Sequence, residues 1–281
     1  MKVSLVKDEK QSQTVGAVVY VLKLDKAAKD AEDIIRQGIA LKKSIEQAGS
    51  NWSAHTGTTE LVSLGIPVPK EKALGKNYVL MPDAYTELLI SPFYEFSLDE
   101  KKLISISAEL VVGAPWRGHT QKNRADVLGL FAKFDEDTVL GGTALGALAH
   151  WYKPFPLVQA GEGKNRVSLA QEHNIPYLAQ SFTRKLVPPN TLSIHRVFFS
   201  RHMLLKCSNA KHLSINADTP FTLNGGEFLI PFPELTVPLM KLYGVKERRG
   251  VLRFFIGYRF KRHMLGFLRS KSYPGVSSPW W

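Results

Sequence analysis

The chain of 281 residues has one cysteine, Cys207. A lone thiol forms no internal disulfide and builds no zinc site by itself, so disulfide-stapled and zinc-finger scaffolds are excluded and a reducing, cytoplasmic setting is expected. Long apolar runs are missing too. The longest early one, Val15–Leu22, is broken by Gly16 and falls far short of the roughly 18 residues that span a bilayer. The stretch 1–14 is polar and mixed in charge, without the apolar segment and small-residue cleavage site of a secretory signal. No membrane partner is expected. No HExxH or paired-cysteine spacing organises the histidines, and Ser168 sits in no GxSxG elbow, so zinc protease and serine hydrolase chemistry have no support.

Acid is scarce in the last third. From Ser181 to Trp281 there are 16 basic and 4 acidic residues, which accounts for the whole formal net charge of +12. The first 180 residues balance. Solubility alone does not require this segregation, and a polyanion, most simply nucleic acid, is the expected partner. The remaining composition, 44% hydrophobic and 22% charged, is that of a soluble globular protein with ample core, and the order of elements along the chain makes the expected fold class α+β.

Three stretches follow from the pattern: an N-terminal α/β region over 1–125, a central module over 126–190 and a basic, β-rich region over 191–281. Val15–Leu22 reads as a strand. Asp25 caps a helix from Lys26 to about Gln47, and 50–75 reads as loop. Ser97 or Asp99 opens a helix from Glu100 to about Val111. In the centre, 151–160 is extended, 161–166 a turn, 167–173 a short helix and 175–182 a strand. Further on, 192–205 is β-rich and 221–230 has a hairpin centre at Asn224-Gly225-Gly226. Val251–Phe260 reads as a strand with Leu252, Phe254, Ile256, Tyr258 and Phe260 on one face. Its other face, carrying Arg253, Phe255, Arg259 and Lys261, joins Lys246, Arg248, Arg249, Arg262 and Arg269 in a cationic track. Phe255 there offers a base a stacking platform. A charged sheet edge that merely resists aggregation fits the same residues.

The turn Gly161-Glu162-Gly163-Lys164-Asn165-Arg166 has the logic of an anion cradle. Glycines allow close backbone approach, a helix leaves from the turn, and Lys164 and Arg166 add full charges. An ordinary strand-to-helix turn with solvated basic side chains has the same pattern. Asp135, Glu136 and Asp137 are oxygen donors suited to Mg²⁺, or else a solvated acidic helix turn.

The stretch 130–183 resembles the ParB/sulfiredoxin-like fold. The resemblance rests on Gly161-Glu162, the basic pair Lys164 and Arg166, Leu169-Ala170, Ile175-Pro176, and upstream Lys133–Thr138, with 145–150 continuing a helix. Gly163 and Asn165 interrupt the paired arginines of ParB proteins, and a sulfiredoxin-type catalytic cysteine is absent from the turn. The resemblance implies phosphate chemistry. Gly161, Gly163, Lys164 and Arg166 would surround a nucleoside triphosphate, CTP or ATP, and Glu162 would contact its Mg²⁺. It also implies a DNA-binding accessory protein of a plasmid or other mobile genetic element. Two alternatives stand beside it. One is a metal-dependent nuclease or NTPase using Glu162 with Asp135 and Asp137. The other is a subunit of a larger nucleoprotein or secretion assembly, or a homodimer, with 192–205 and Trp280-Trp281 at an interface.

Overall fold

A computed structural model gives the fold and describes residues 1–50, 80–96, 101–115, 123–141, 146–209, 221–223, 226–253 and 255–270. Along the chain run β1 (Val3–Lys7), α1 (Glu9–Val15), β2 (Tyr20–Leu24), α2 (Lys26–Ser50), α3 (Pro82–Leu89), β3 (Tyr94–Phe96), β4 (Lys102–Ile106) and β5 (Val111–Val112). Then come α4 (Arg124–Leu140), β6 (Leu148–Lys153), β7 (Val158–Ala160), α5 (Arg166–Glu172), β8 (Tyr177–Leu186), β9 (Leu192–Val197) and β10 (Met203–Cys207). The last elements are β11 (Thr222–Leu223), β12 (Glu227–Leu229), α6 (Pro233–Tyr243), β13 (Lys246–Val251) and α7 (Ile256–Ser270). The protein is α+β with two mixed sheets. No helix among the described residues is long and apolar enough to cross a membrane.

Two compact units emerge, each assembled from two chain segments: Met1–Ile39 with Glu95–Leu186, and Ala40–Tyr94 with Val187–Trp281. The first unit holds the larger sheet, ordered β1-β2-β4-β8-β6-β7-β5, with β3 also on β8. Pairing alternates between antiparallel and parallel across it. The ten-residue β8 lies at its centre, with Tyr177, Leu178, Ala179 and Ser181 buried. Asp25 caps α2 as its sequence predicts, its Oδ1 accepting the Ala28 N–H at 2.8 Å, and Ala28, Ala31, Ile35 and Ile39 form the buried stripe.

The second unit has the sheet order β11-β12-β10-β9-β13, antiparallel except for the parallel pair β9–β13. Its two segments are tied by buried contacts. Thr236 Oγ1 donates to the Leu89 carbonyl at 2.8 Å, Val187 N–H to the Phe93 carbonyl at 3.2 Å, and Tyr85 and Phe232 meet at 5.8 Å between ring centroids.

The central strand–turn–helix–strand pattern is present as β7, the turn, α5 and β8, and the hairpin over 221–230 as β11–β12. Several expectations are corrected. The strand over Val15–Leu22 begins only at Tyr20, because Gly16 takes φ +72° and closes α1. The helix from Glu100 to Val111 is instead β4, a 3₁₀ turn and β5. Ile104 pairs with β2 on one side and β8 on the other, and that burial overrides helical spacing. Residues 148–150 continue no helix: Gly141, at φ +74°, ends α4, and Leu148 starts β6. Most consequentially, the strand over Val251–Phe260 stops at Val251 and the chain turns into α7. Residues 51–75, Ser97, Asp99, Asn224-Gly225 and Trp280-Trp281 lie outside the described residues.

Candidate functional site

In the first unit the glycine turn sits between β7 and α5. Gly161 N–H donates to the Leu148 carbonyl at 2.8 Å and fastens the turn to β6. The Glu162 carbonyl accepts the Tyr177 hydroxyl at 3.1 Å, and the Lys164 carbonyl accepts the Ala114 N–H at 2.9 Å. That second contact depends on Gly113, where a Cβ would stand 2.7 Å from the Lys164 carbonyl oxygen and overlap Val167. Gly163 has φ +68°, the left-handed region that glycine enters without penalty.

Sequence spacing bunches Lys164 and Arg166 at the turn; the fold separates their surroundings. Lys164 is half-buried, whereas Arg166 is 5% exposed and its guanidinium lies 3.8 Å from the centre of the Phe134 ring. The same guanidinium carbon is 3.2 Å from where a Cβ on Gly163 would be, so the turn rests on it. Among the described residues its enclosed Nε has no acceptor and no carboxylate forms a salt bridge with it. Burial lowers its pKa, opposed by Tyr177, Asp135, Asp137 and Glu162. Burial likewise pushes Asp135 up to about 6 despite the attraction of Arg166, and pushes the Tyr177 hydroxyl up. An enclosed cation lacking a hydrogen-bonded counter-charge is costly, and an entering anion would relieve that cost.

Glu162 is exposed, and Asp135 and Asp137 are half-buried and face the charge of Arg166. The Arg166 charge beside Asp135 opposes a divalent cation there, and among the described residues no three acidic, His or Cys side chains group around a metal position. The residues present do not fit a resident Mg²⁺. They fit an anion.

In the second unit Lys246, Arg248 and Arg249, read from the sequence as lying ahead of a strand, are exposed on β13 itself. Arg253 is tied to Glu227, which Lys206 also holds at 2.8 Å. Phe255 is 82% exposed. Arg259, Lys261 and Arg262 are exposed on α7 rather than aligned along a strand, so the alternating cation face is corrected to a helical one. Arg269 lies within the bounds of α7, its side chain outside the description.

Sequence reasoning missed Phe134, Tyr177 and Gly113 as the frame around Arg166. Nothing local to the turn marks them, since they come from α4, β8 and the segment after β5. It also passed over Phe198-Phe199. An aromatic pair inside a hairpin turn was the available signal, because turns are ordinarily polar. Comparison with known proteins returned no match: no family model fits the chain, and neither a curated protein nor a solved structure is significantly similar to it.

Proposed function

We propose that the protein is a nucleic-acid-binding accessory protein of the ParB-like, mobile-element type, and that its glycine turn binds a phosphate group, from a nucleotide or from the nucleic-acid backbone. The observation that carries this reading is Arg166: a residue 5% exposed, its Nε without an acceptor among the described residues, its guanidinium stacked on Phe134 beneath a left-handed glycine. Arginine's planar fork matches phosphate oxygens two at a time. Asp135 would tune the site, since protonating it removes the negative charge that competes with the ligand. Charge supports the nucleic-acid half of the reading. The second unit carries nineteen basic and nine acidic residues, while the first carries eighteen and sixteen.

The test is a binding panel of CTP, ATP, inorganic phosphate and DNA on wild type, Arg166→Lys and Arg166→Ala, each checked by thermal melting. The expected result is saturable phosphate-ligand binding that weakens about tenfold or more in Arg166→Lys, which keeps the charge but loses the fork. Equal binding by folded Arg166→Lys and wild type, or no binding of any phosphate compound, overturns the reading. Magnesium, if required, would enter with the nucleotide. No observation favours cleavage by Glu162, which is exposed at the turn.

A further inference from the structure

We propose that the second unit presents a stacking surface for single-stranded nucleic acid at one end of its smaller sheet, with unpaired bases lying on Phe199 and Phe255. This deepens the nucleic-acid reading above and rests on it.

The sheet brings the two rings to one end. Strands β9 and β13 run parallel with Val197 opposite Val251, so both finish at the same edge. The segments that follow stay joined. Phe198 N–H donates to the Val251 carbonyl at 2.9 Å, and a Cβ on Gly250 would stand 2.8 Å from the Phe198 ring, so glycine makes room for it. Beyond the turn, the His202 ring lies 4.8 Å from that of Phe260 on α7, and Gly257 of α7 also borders His202. The β9–β10 turn and the β13–α7 junction are therefore neighbours.

On this framework Phe199 is 100% exposed and Phe255 82% exposed, and Tyr258 follows on the first turn of α7. Both phenylalanines have φ +58°, a region that bulky L-residues avoid and that glycine or asparagine would occupy more cheaply. The chain holds two apolar rings outward at a backbone cost, against the hydrophobic effect. Such a departure from local preference points to a binding role.

Charge selects the partner. Exposed cations belong to the same segments: Arg201 to the turn, Arg249 to β13, and Arg259 and Arg262 to α7. The nearest described acids of the sheet are already engaged, Glu227 by Lys206 and Arg253, and Glu247 by Lys241 at 2.8 Å. Exposed rings and exposed cations, which form no salt bridge among the described residues, together match a strand that offers both bases and phosphates. A duplex hides its base faces in its own stack and would leave these rings idle.

The test uses the full chain, with fluorescence anisotropy on a fluorescein-labelled twenty-residue oligothymidylate and on a duplex of equal length. Wild type, Phe199→Ala, Phe255→Ala and the double variant are compared, with Phe255→Trp as a conservative control whose indole fluorescence reports stacking. The expected result is tighter binding to the single strand, a loss of about tenfold per ring removed, little change on the duplex, and quenching of the Phe255→Trp indole by oligothymidylate. Unchanged single-strand affinity in the double variant overturns the proposal. So does duplex binding without single-strand binding, which would leave the broader nucleic-acid reading standing. Binding of neither form defeats both. Sedimentation with phosphatidylserine vesicles in place of oligothymidylate binding would assign the rings to a membrane surface and likewise overturn it.

Discussion

Asp135 shows how one carboxyl reports on its setting. Its pKa is pushed up to about 6 from an ordinary 3.8, so the folded state holds the proton more tightly than the unfolded chain does. Its contribution therefore favours folding at acid pH, and that advantage is lost as pH rises from about 4 to about 6, above which the cost is constant. Replacing it by asparagine should leave stability unchanged near pH 4 and raise it by about 1 kcal/mol at pH 7.5, a value discounted for the partial exposure of the side chain. Urea denaturation of both proteins at the two pH values checks this. A gain of equal size at both would mean that the carboxyl is not titrating in this range. The partners of Arg166 were illegible in the sequence for a plain reason. Gly161–Arg166 gives the turn, but whether an arginine leaving it faces water or Phe134 is decided by α4, thirty residues earlier in the chain.

At the scale of elements, two joints can be tested. Gly113 sits where the segment after β5 meets the turn, so Gly113→Ala must push the Lys164 carbonyl and Val167 away. We expect a loss of about 1–3 kcal/mol, read by denaturant melting, and weaker phosphate binding because the Ala114–Lys164 hydrogen bond fixes the turn. In the second unit Lys42 and Glu46 form a buried ion pair one helical turn apart on α2, and Glu46 also accepts the Leu80 N–H at 3.0 Å. Glu46→Leu strands the Lys42 ammonium, whose pKa burial already lowers, and should cost about 3–5 kcal/mol. Adding Lys42→Met should recover much of that loss, and failure to recover it would show that the pair is not the origin of the effect.

The same scale explains what the sequence makes legible. Asp25 and the stripe after it determine α2 because the cap and the burial agree. The segment from Val251 to Phe260 is ambiguous. Its apolar residues alternate, yet Ile256, Phe260 and Met264 also recur every fourth position. The fold takes the second pattern, burying Ile256 and Met264, since short apolar runs fit either period.

For the whole molecule, charge and chain path matter together. If the cationic unit makes about six phosphate contacts, duplex affinity should fall about a thousandfold between 50 and 200 mM salt. A nearly flat titration would remove the electrostatic basis of binding. The basic region read from the sequence, 191–281, is not a freestanding module: Thr236 and Phe232 are held by Leu89 and Tyr85 from the earlier segment. Expressed alone, that fragment should lack a cooperative melt by circular dichroism, and a sharp transition would show that it folds without residues 40–94.

The interleaved path also sets a timetable for synthesis on the ribosome. Helix α3 emerges with Tyr85, Leu88 and Leu89 destined for the interior, but β9, the first strand of the sheet in its unit, follows about a hundred residues later. At cellular elongation rates that is a delay on the order of ten seconds. Throughout it, sticky side chains wait uncovered while the other unit completes its own sheet with β8. A nascent chain stalled before residue 192 should therefore recruit holdase chaperones that one released at full length sheds.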